Sequence, residues 1–235
     1  FNVGADAFPA INDVMRCAPD AEPPAQEFLA RAGAYFAKHE RGGFSIRARA
    51  HVDGDLIELC KARGMYLIGA SPGMLIREPI PELPVPESAR GIELRVADTP
   101  AAMRDFSRVC AASYATIGMP VLTAEKVFAL PERMLAKHLH VVVAYDGNEP
   151  VSAALALLSH GIGGLYWVGT APAARKRGIA PLVTRAVTNW CFSQGVRSVV
   201  LQASKQGEPI YRALGYQEIT RYPWFLCTLQ QALSV

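Results

Sequence analysis

No apolar run in this sequence reaches the roughly 18 residues that a membrane-spanning helix needs. The longest candidate, VSAALALL at 151–158, is strand-sized and is followed by Ser159, His160 and Gly161. A membrane partner is therefore not expected. No CxxC pair is present, and the five cysteines (Cys17, Cys60, Cys110, Cys191, Cys227) are scattered. That argues against a disulfide framework and a zinc site, and for reduced, buried thiols in a cytoplasmic protein. No basic stripe with interleaved aromatics occurs, which argues against nucleic acid. No signal-peptide pattern opens the chain. The first residue is Phe1 rather than Met, so a segment ahead of it stays open.

What is present is a globular composition. The 235 residues are 51% hydrophobic, enough for one large domain or two small ones around a real core. The net charge of +3 is mild and suits an anionic small ligand as well as a nucleic acid.

The clearest boundary is EPIPELPVPESARG at 78–91. Pro79, Pro81, Pro84 and Pro86 oppose helix and ladder pairing and favour an extended linker. This divides the chain into a lobe with its linker, 1–87, and a domain, 88–235. The second part mixes α and β patterns. IELRVA (92–97) alternates like a strand, and Asp98-Thr99-Pro100 opens a helix through about Tyr114. A second helix is expected over 123–137 with Thr123 as cap. HVVVAY (140–145) and PVSAALALL (150–158) flank an Asp146-Gly147-Asn148 turn as a hairpin, and GLYWVGT (164–170) is a further strand. Ile179, Leu182, Val183, Ala186, Val187 and Trp190 recur at helical spacing. RSVVLQAS (197–204) is a strand, EPIYRALG (208–215) a short helix stopped by Gly215, and the remainder a final strand pair.

The sequence also repeats itself. With Gly64 set against Gly215, Ala62 meets Ala213, Ile68 meets Ile219, Pro72 meets Pro223 and Leu75 meets Leu226. Residues 24–78 then read as a remnant of the half-fold at 178–228. The remnant has Cys60 where the later copy has Tyr211.

The stretch VGTAPAARKRGIAPLVTRAV (168–187) takes a strand into a basic loop and then a helix. A helix start already carries unpaired N–H groups and a positive dipole end. Arg175, Lys176 and Arg177 there mean either a solvated cluster or an anion site. Gly178 would let a backbone approach a phosphate closely, and Ala180 keeps the next contact position small.

From residue 91 onward the chain resembles the GCN5-related N-acetyltransferase (GNAT) superfamily. The resemblance rests on Arg175-Lys176-Arg177-Gly178-Ile179-Ala180, which fits an R/Q-x-x-G-x-G/A loop, and on LQAS…YRALGY (201–216). It implies an α/β (α+β) fold with a mixed, mostly antiparallel central sheet flanked by helices, preceded by a partial lobe of the same kind. It implies acetyl-CoA as donor, its pyrophosphate held by the loop 175–180. By position in the family, Val168, Gly169 and Thr170 would pair with the pantetheine arm and the Val168 N–H would serve the oxyanion. Tyr211 would protonate the leaving thiolate. Ser204 stands where the family often carries Asn, which weakens its assignment to the pantetheine.

No general base is evident, since 161–170 contains no Asp or Glu. His138 and His140 fit a solvated strand edge better than a metal site, and no metal is expected. Tyr114 and Met119 stand in a loop that lines the acceptor side in the family, with core packing as an equal alternative. Asp53-Gly54-Asp55 reads as a turn and helix cap. The expected function is an N-acetyltransferase acting on a primary amine of a small molecule or peptide, as a monomer or homodimer. The alternative is a non-catalytic acyl-CoA-binding module.

Overall fold

The structure is a computed structural model that describes residues 1–82 and 84–233. The expected linker includes Leu83 and the expected second domain includes Ser234 and Val235; these three lie outside the described residues. Two compact units are present: Phe1–Gly73 with Glu218–Val235, and Met74–Gln217.

The first unit contains β1 (Asp13–Val14), α1 (Ala25–Lys38), β2 (Gly43–Arg47), α2 (Gly54–Ala62), most of β3 (Tyr66–Ile76), most of β9 (Gln217–Thr228) and α7 (Leu229–Leu233). Its strands run in the order β1-β2-β9-β3. β2 pairs antiparallel with β9 from Gly43↔Thr228 to Arg47↔Trp224. Phe28, Leu29, Ala32 and Phe36 recur at helical spacing along α1 and pack with Phe44, Ile46, Leu56 and Phe225. Asp53 does occupy the N-cap position of α2, but its side chain makes no cap bond. It is fully buried and accepts from the Arg49 N–H at 2.7 Å, from Arg49 Nη2 at 2.9 Å and lies 3.3 Å from Arg16 Nε.

The second unit holds β4 (Ile92–Val96), α3 (Pro100–Ala115), α4 (Val121–Val127), β5 (Leu139–Asp146), β6 (Glu149–Ser159), β7 (Ile162–Thr170), α5 (Ile179–Ser193), β8 (Val199–Gln202) and α6 (Glu208–Ala213). Strands β4 to β7 are antiparallel neighbours, and β8 joins β7 in parallel. This is the mixed, mostly antiparallel sheet flanked by helices that the sequence predicts. Successive residues of a strand point to opposite faces, and both faces are covered. Val142 and Ala144 on β5, with Ala154 and Ala156 on β6, pack with Val183 and Val187 of α5. Their alternates Val141, Val143, Ala153 and Leu155 pack with Met103, Phe106 and Val109 of α3. Thr99 caps α3 by accepting from the Ala102 N–H.

Several details differ from the sequence reading. The helix expected over 123–137 is the shorter α4, followed by a 3-10 turn at Pro131–Leu135. Pro131 disfavours helical backbone at Leu130, and Thr123 is buried inside α4 rather than capping it. The expected final strand pair is one strand, β9, that runs into α7. Pro223 is accommodated there by using only its carbonyl, which accepts from the Ala48 N–H at 3.0 Å. His140 is half-buried and stacks on Trp190 at 4.2 Å rather than meeting solvent. Cys17 is exposed; the other four thiols are buried as expected.

The repeat seen in the sequence has a backbone counterpart. After α2, the Gly64 N–H donates to Lys61 O and the Met65 N–H to Cys60 O. After α6, the Gly215 N–H donates to Arg212 O and the Tyr216 N–H to Tyr211 O. Both are Schellman ends with glycine at positive φ, +64° and +95°. The order α1-β2-α2-β3 in the chain matches α5-β8-α6-β9.

Candidate active site

β7 and β8 pair at Gly163↔Val199 and Gly164↔Val200 and no further, although β7 continues to Thr170 and β8 to Gln202. Beyond Gly164, β7 leaves one edge open. A bulge lies in this free stretch: Tyr166 pairs with Leu155 and Gly169 with Ala153, so Trp167 and Val168 together oppose Ala154. Trp167 takes φ +51°. Its indole packs 4.8 Å from the Tyr114 ring and 4.8 Å edge-on from Phe128, which holds a backbone conformation that a bulky residue seldom adopts. On the paired side, the Ser152 hydroxyl donates to Gly169 O at 2.8 Å and meets the Thr170 hydroxyl at 2.9 Å.

The basic loop follows. Gly178 is the N-cap of α5 at φ +79°, and Lys176 is also left-handed at φ +63°. The N–H groups of Gly178, Ile179 and Ala180 at the head of the helix have no acceptor among the described residues. The three cations differ. Arg175 Nε donates to Thr170 O, and its Nη2 donates to Ser113 O and, at 2.8 Å, to Thr116 Oγ1. Arg177 pairs with Asp146 at 2.7 Å and donates to Ser88 O at 2.7 Å. Lys176 has no side-chain partner among the described residues.

The proline-rich segment runs along α5 as a strap. Ile80 and Asn189 exchange two hydrogen bonds of 2.7 and 2.8 Å, and Arg185 Nε donates to Pro81 O. The Ser88 hydroxyl donates to Arg177 O. Beside the strap lies a cavity of about 460 Å³ bounded by Pro84, Pro86, Gly178, Leu182, Ile210 and Leu214.

Tyr211 is buried on α6, edge-on to Tyr216 at 5.9 Å. Burial pushes its phenol well above the ordinary value, so it keeps its proton at neutral pH. Tyr114 is likewise raised by burial, with a smaller push from Tyr211. The Ser204 hydroxyl accepts from the Gly207 N–H at 3.1 Å, and Ser204 O accepts from Gly207 and Glu208. Ser204 therefore shapes the entry to α6.

With this geometry in hand, the comparisons with known proteins are decisive at one level. Residues 86–208 match the family model described as acetyltransferase (GNAT) domain, more than half of the chain. The chain belongs to the GNAT acetyltransferase family. A curated relative, the "uncharacterized N-acetyltransferase YjcF" of Bacillus subtilis (strain 168), is 28% identical over 81 residues. That match covers 34% of this chain and 57% of the relative, so the chain spans little more than half of that protein's length. Among solved structures, a GCN5-related N-acetyltransferase from Kribbella flavida has a TM-score of 0.71 at 18% identity, covering 94% of this chain and 83% of its own. Another from Sphaerobacter thermophilus has a TM-score of 0.64 at 19% identity, covering 86% and 67%. These likenesses concern the fold.

Within the GNAT domain, the structure brings the free edge of β7, the head of α5 and the start of α6 into one unit. Sequence reasoning missed the ties that organise them: Ser113, Thr116, Ser88, Asp146 and Pro86. Ser113, Thr116 and Ser88 carry no periodic or motif signal, Asp146 stands out only as a turn residue, and Pro86 only as part of the linker. No carboxylate base emerges among the described residues either. Asp105 accepts from Tyr145 and pairs with Arg108, and Asp146 is held by Arg177.

Proposed function

We propose that the chain transfers an acetyl group from acetyl-CoA to a primary amine by direct attack. The observation that carries this reading is the head of α5, where three consecutive positions of unpaired N–H meet a left-handed glycine. Such a cradle fits a pyrophosphate. Lys176 would add the mobile positive charge, while Arg175 and Arg177 hold the loop in shape. The donor supplies an activated acyl group on sulfur. The edge of β7 at Val168 and Gly169, which has no strand partner, would bind its arm by strand addition, while Thr170 O is held by Arg175 and the Thr170 N–H by the Ser113 hydroxyl. The bulge turns the backbone at Val168 out of the ladder, which suits its N–H to the oxyanion. Tyr211, kept protonated by burial, is suited to protonate the departing thiolate.

In this reading residues 1–87 are a degenerate half-lobe and 88–235 the catalytic domain. The lobe has the Schellman helix end in common with the catalytic half, but Cys60 stands in place of Tyr211 and nothing in it corresponds to the basic loop.

The test is a calorimetric titration with acetyl-CoA beside an amine screen that reads thiol release. Binding with turnover is expected. Binding without turnover on any amine would favour a non-catalytic acyl-CoA sensor, and no binding would end the assignment.

A further inference from the structure

We propose that the acceptor is a weakly basic amine on an apolar body, such as an α-amino group beside a branched or aromatic side chain, rather than a polycation. This rests on the acyl-transfer reading above and names its second substrate.

The end of α3 and the turn after it are fastened to the mouth of β7. Arg175 reaches Thr170 O on one side and Ser113 O and Thr116 Oγ1 on the other. Tyr114 packs on Trp167 inside the bulge, and the N–H groups of Ile117 and Met119 both donate to Tyr114 O. Residues 113–119 therefore border the point where the acyl group would be presented.

Apart from the Arg175 guanidinium, whose donors are taken up by Thr170, Ser113 and Thr116, this border carries no formal charge among the described residues. Neither 109–124 nor 161–174 contains Asp, Glu, Lys or Arg. Its apolar side chains face solvent instead: Ile117 is 53% exposed, Val121 48% and Leu122 70%. One exposed leucine means little, but three within six positions beside a reaction point form a surface for an apolar ligand. The charges that adjoin these segments in sequence are Arg108, which pairs with Asp105; Glu125, followed by Lys126 on α4; and Arg175, which is bound into the turn. Asp105 and Asp146 are committed to Arg108 and Arg177. A polyamine would lose hydration here and find no row of carboxylates in return.

The chemistry agrees. The nitrogen lone pair forms the C–N bond, the C–S electron pair leaves with sulfur, and the proton shed by nitrogen ends on sulfur by way of solvent or Tyr211. The nitrogen must be neutral when it attacks, and neither 109–124 nor 161–174 offers an Asp or Glu to make it so. At pH 7 about a tenth of an α-amino group is neutral, against roughly one part in 2,500 of a lysine-type amine.

The experiment uses the full chain with saturating acetyl-CoA and reads thiol release with L-leucinamide, Nα-acetyl-lysinamide and spermidine. At pH 7 we expect kcat/KM for L-leucinamide to exceed the other two by about 250-fold, as the neutral fractions require. Ile117→Asp, at an exposed position, should lower kcat/KM for L-leucinamide about tenfold or more by placing a charge on the apolar border, while the acetyl-CoA Kd stays within about twofold. Spermidine or the lysine derivative matching L-leucinamide, or Ile117→Asp leaving all three rates unchanged, overturns the acceptor assignment and leaves acyl transfer standing. Failure to bind acetyl-CoA, or no thiol release with any amine, overturns both.

Discussion

Pro86 sits directly on Gly178: a β-carbon built on the glycine would lie 2.5 Å from the proline Cγ. The glycine is required there twice over, by its left-handed φ of +79° and by the ring above it. Ser88 and Arg177 exchange hydrogen bonds next to this contact, and Arg177 reaches Asp146. The strap and the basic loop thus have one shared geometry.

Gly178→Ala should therefore do two things. It should destabilise the fold by about 1–2 kcal/mol through backbone strain alone, with the Pro86 clash adding to that. It should also weaken acetyl-CoA binding, because the N–H groups at the head of α5 shift. Thermal denaturation and calorimetry measure the two effects separately. Adding Pro86→Gly removes the clash but not the strain, so it should return only part of the stability. An alanine variant with parental acetyl-CoA affinity would rule out the pyrophosphate role of this loop.

Tyr211→Phe keeps the buried ring and deletes the proton donor. If the phenol protonates the thiolate, kcat should fall by about 10²–10⁴-fold while acetyl-CoA affinity barely changes. The raised phenol value adds a pH signature: activity should show no loss from Tyr211 near the ordinary tyrosine value of about 10. Packing alone predicts a nearly parental kcat for the phenylalanine variant, and steady-state kinetics with any accepted amine tell the two apart.

The Arg16–Asp53–Arg49 cluster predicts a stability effect far from the basic loop in sequence. Asp53 and Arg16 are both fully buried, so Asp53→Ala removes one of the two carboxylates at that guanidinium and the hydrogen-bond acceptor of Arg49. The expected loss is about 3–5 kcal/mol in urea denaturation. Asp55, which also pairs with Arg16, is held below the usual carboxylate value chiefly by the hydrogen bond from that guanidinium. Its contribution is fully present above the unfolded value of about 3.9 and is lost as pH falls through the lower folded value. Asp55→Asn should therefore lower stability at neutral pH, change little below the folded value, and so flatten the acid limb of the stability curve. An unchanged acid limb would rule out this linkage.

Much of this architecture is legible in local pattern. The alternation in β5 and β6 is readable because each face meets a different helix, and the glycine at 178 because a left-handed cap needs one. The two Schellman ends are readable as aligned Gly64 and Gly215. What escapes sequence reading depends on distant partners. Ser88 and Arg177 are 89 residues apart, and no local rule links them. The bulge at Trp167 carries no glycine, since aromatic packing from Tyr114 and Phe128 supplies what glycine usually does. The helix over 123–137 fails because Pro131 outweighs apolar spacing. The expected final strand pair is a single strand because the carbonyl of Pro223 alone satisfies the partner there.

The pairing of β2 with β9 has a consequence for how the protein is made. β2 ends at Arg47, and the first residue it pairs with on β9 is Trp224. A ribosome adding roughly 5–20 residues per second needs on the order of 9–35 s to cover that interval. For that time one edge of β2 has no strand to join, and the core residue Phe225 has not yet been made. β2 is thus made long before its partner and is among the last parts of its unit to finish folding. A nascent chain halted before Trp224 would offer an open strand edge to chaperones or to its neighbours on the same message.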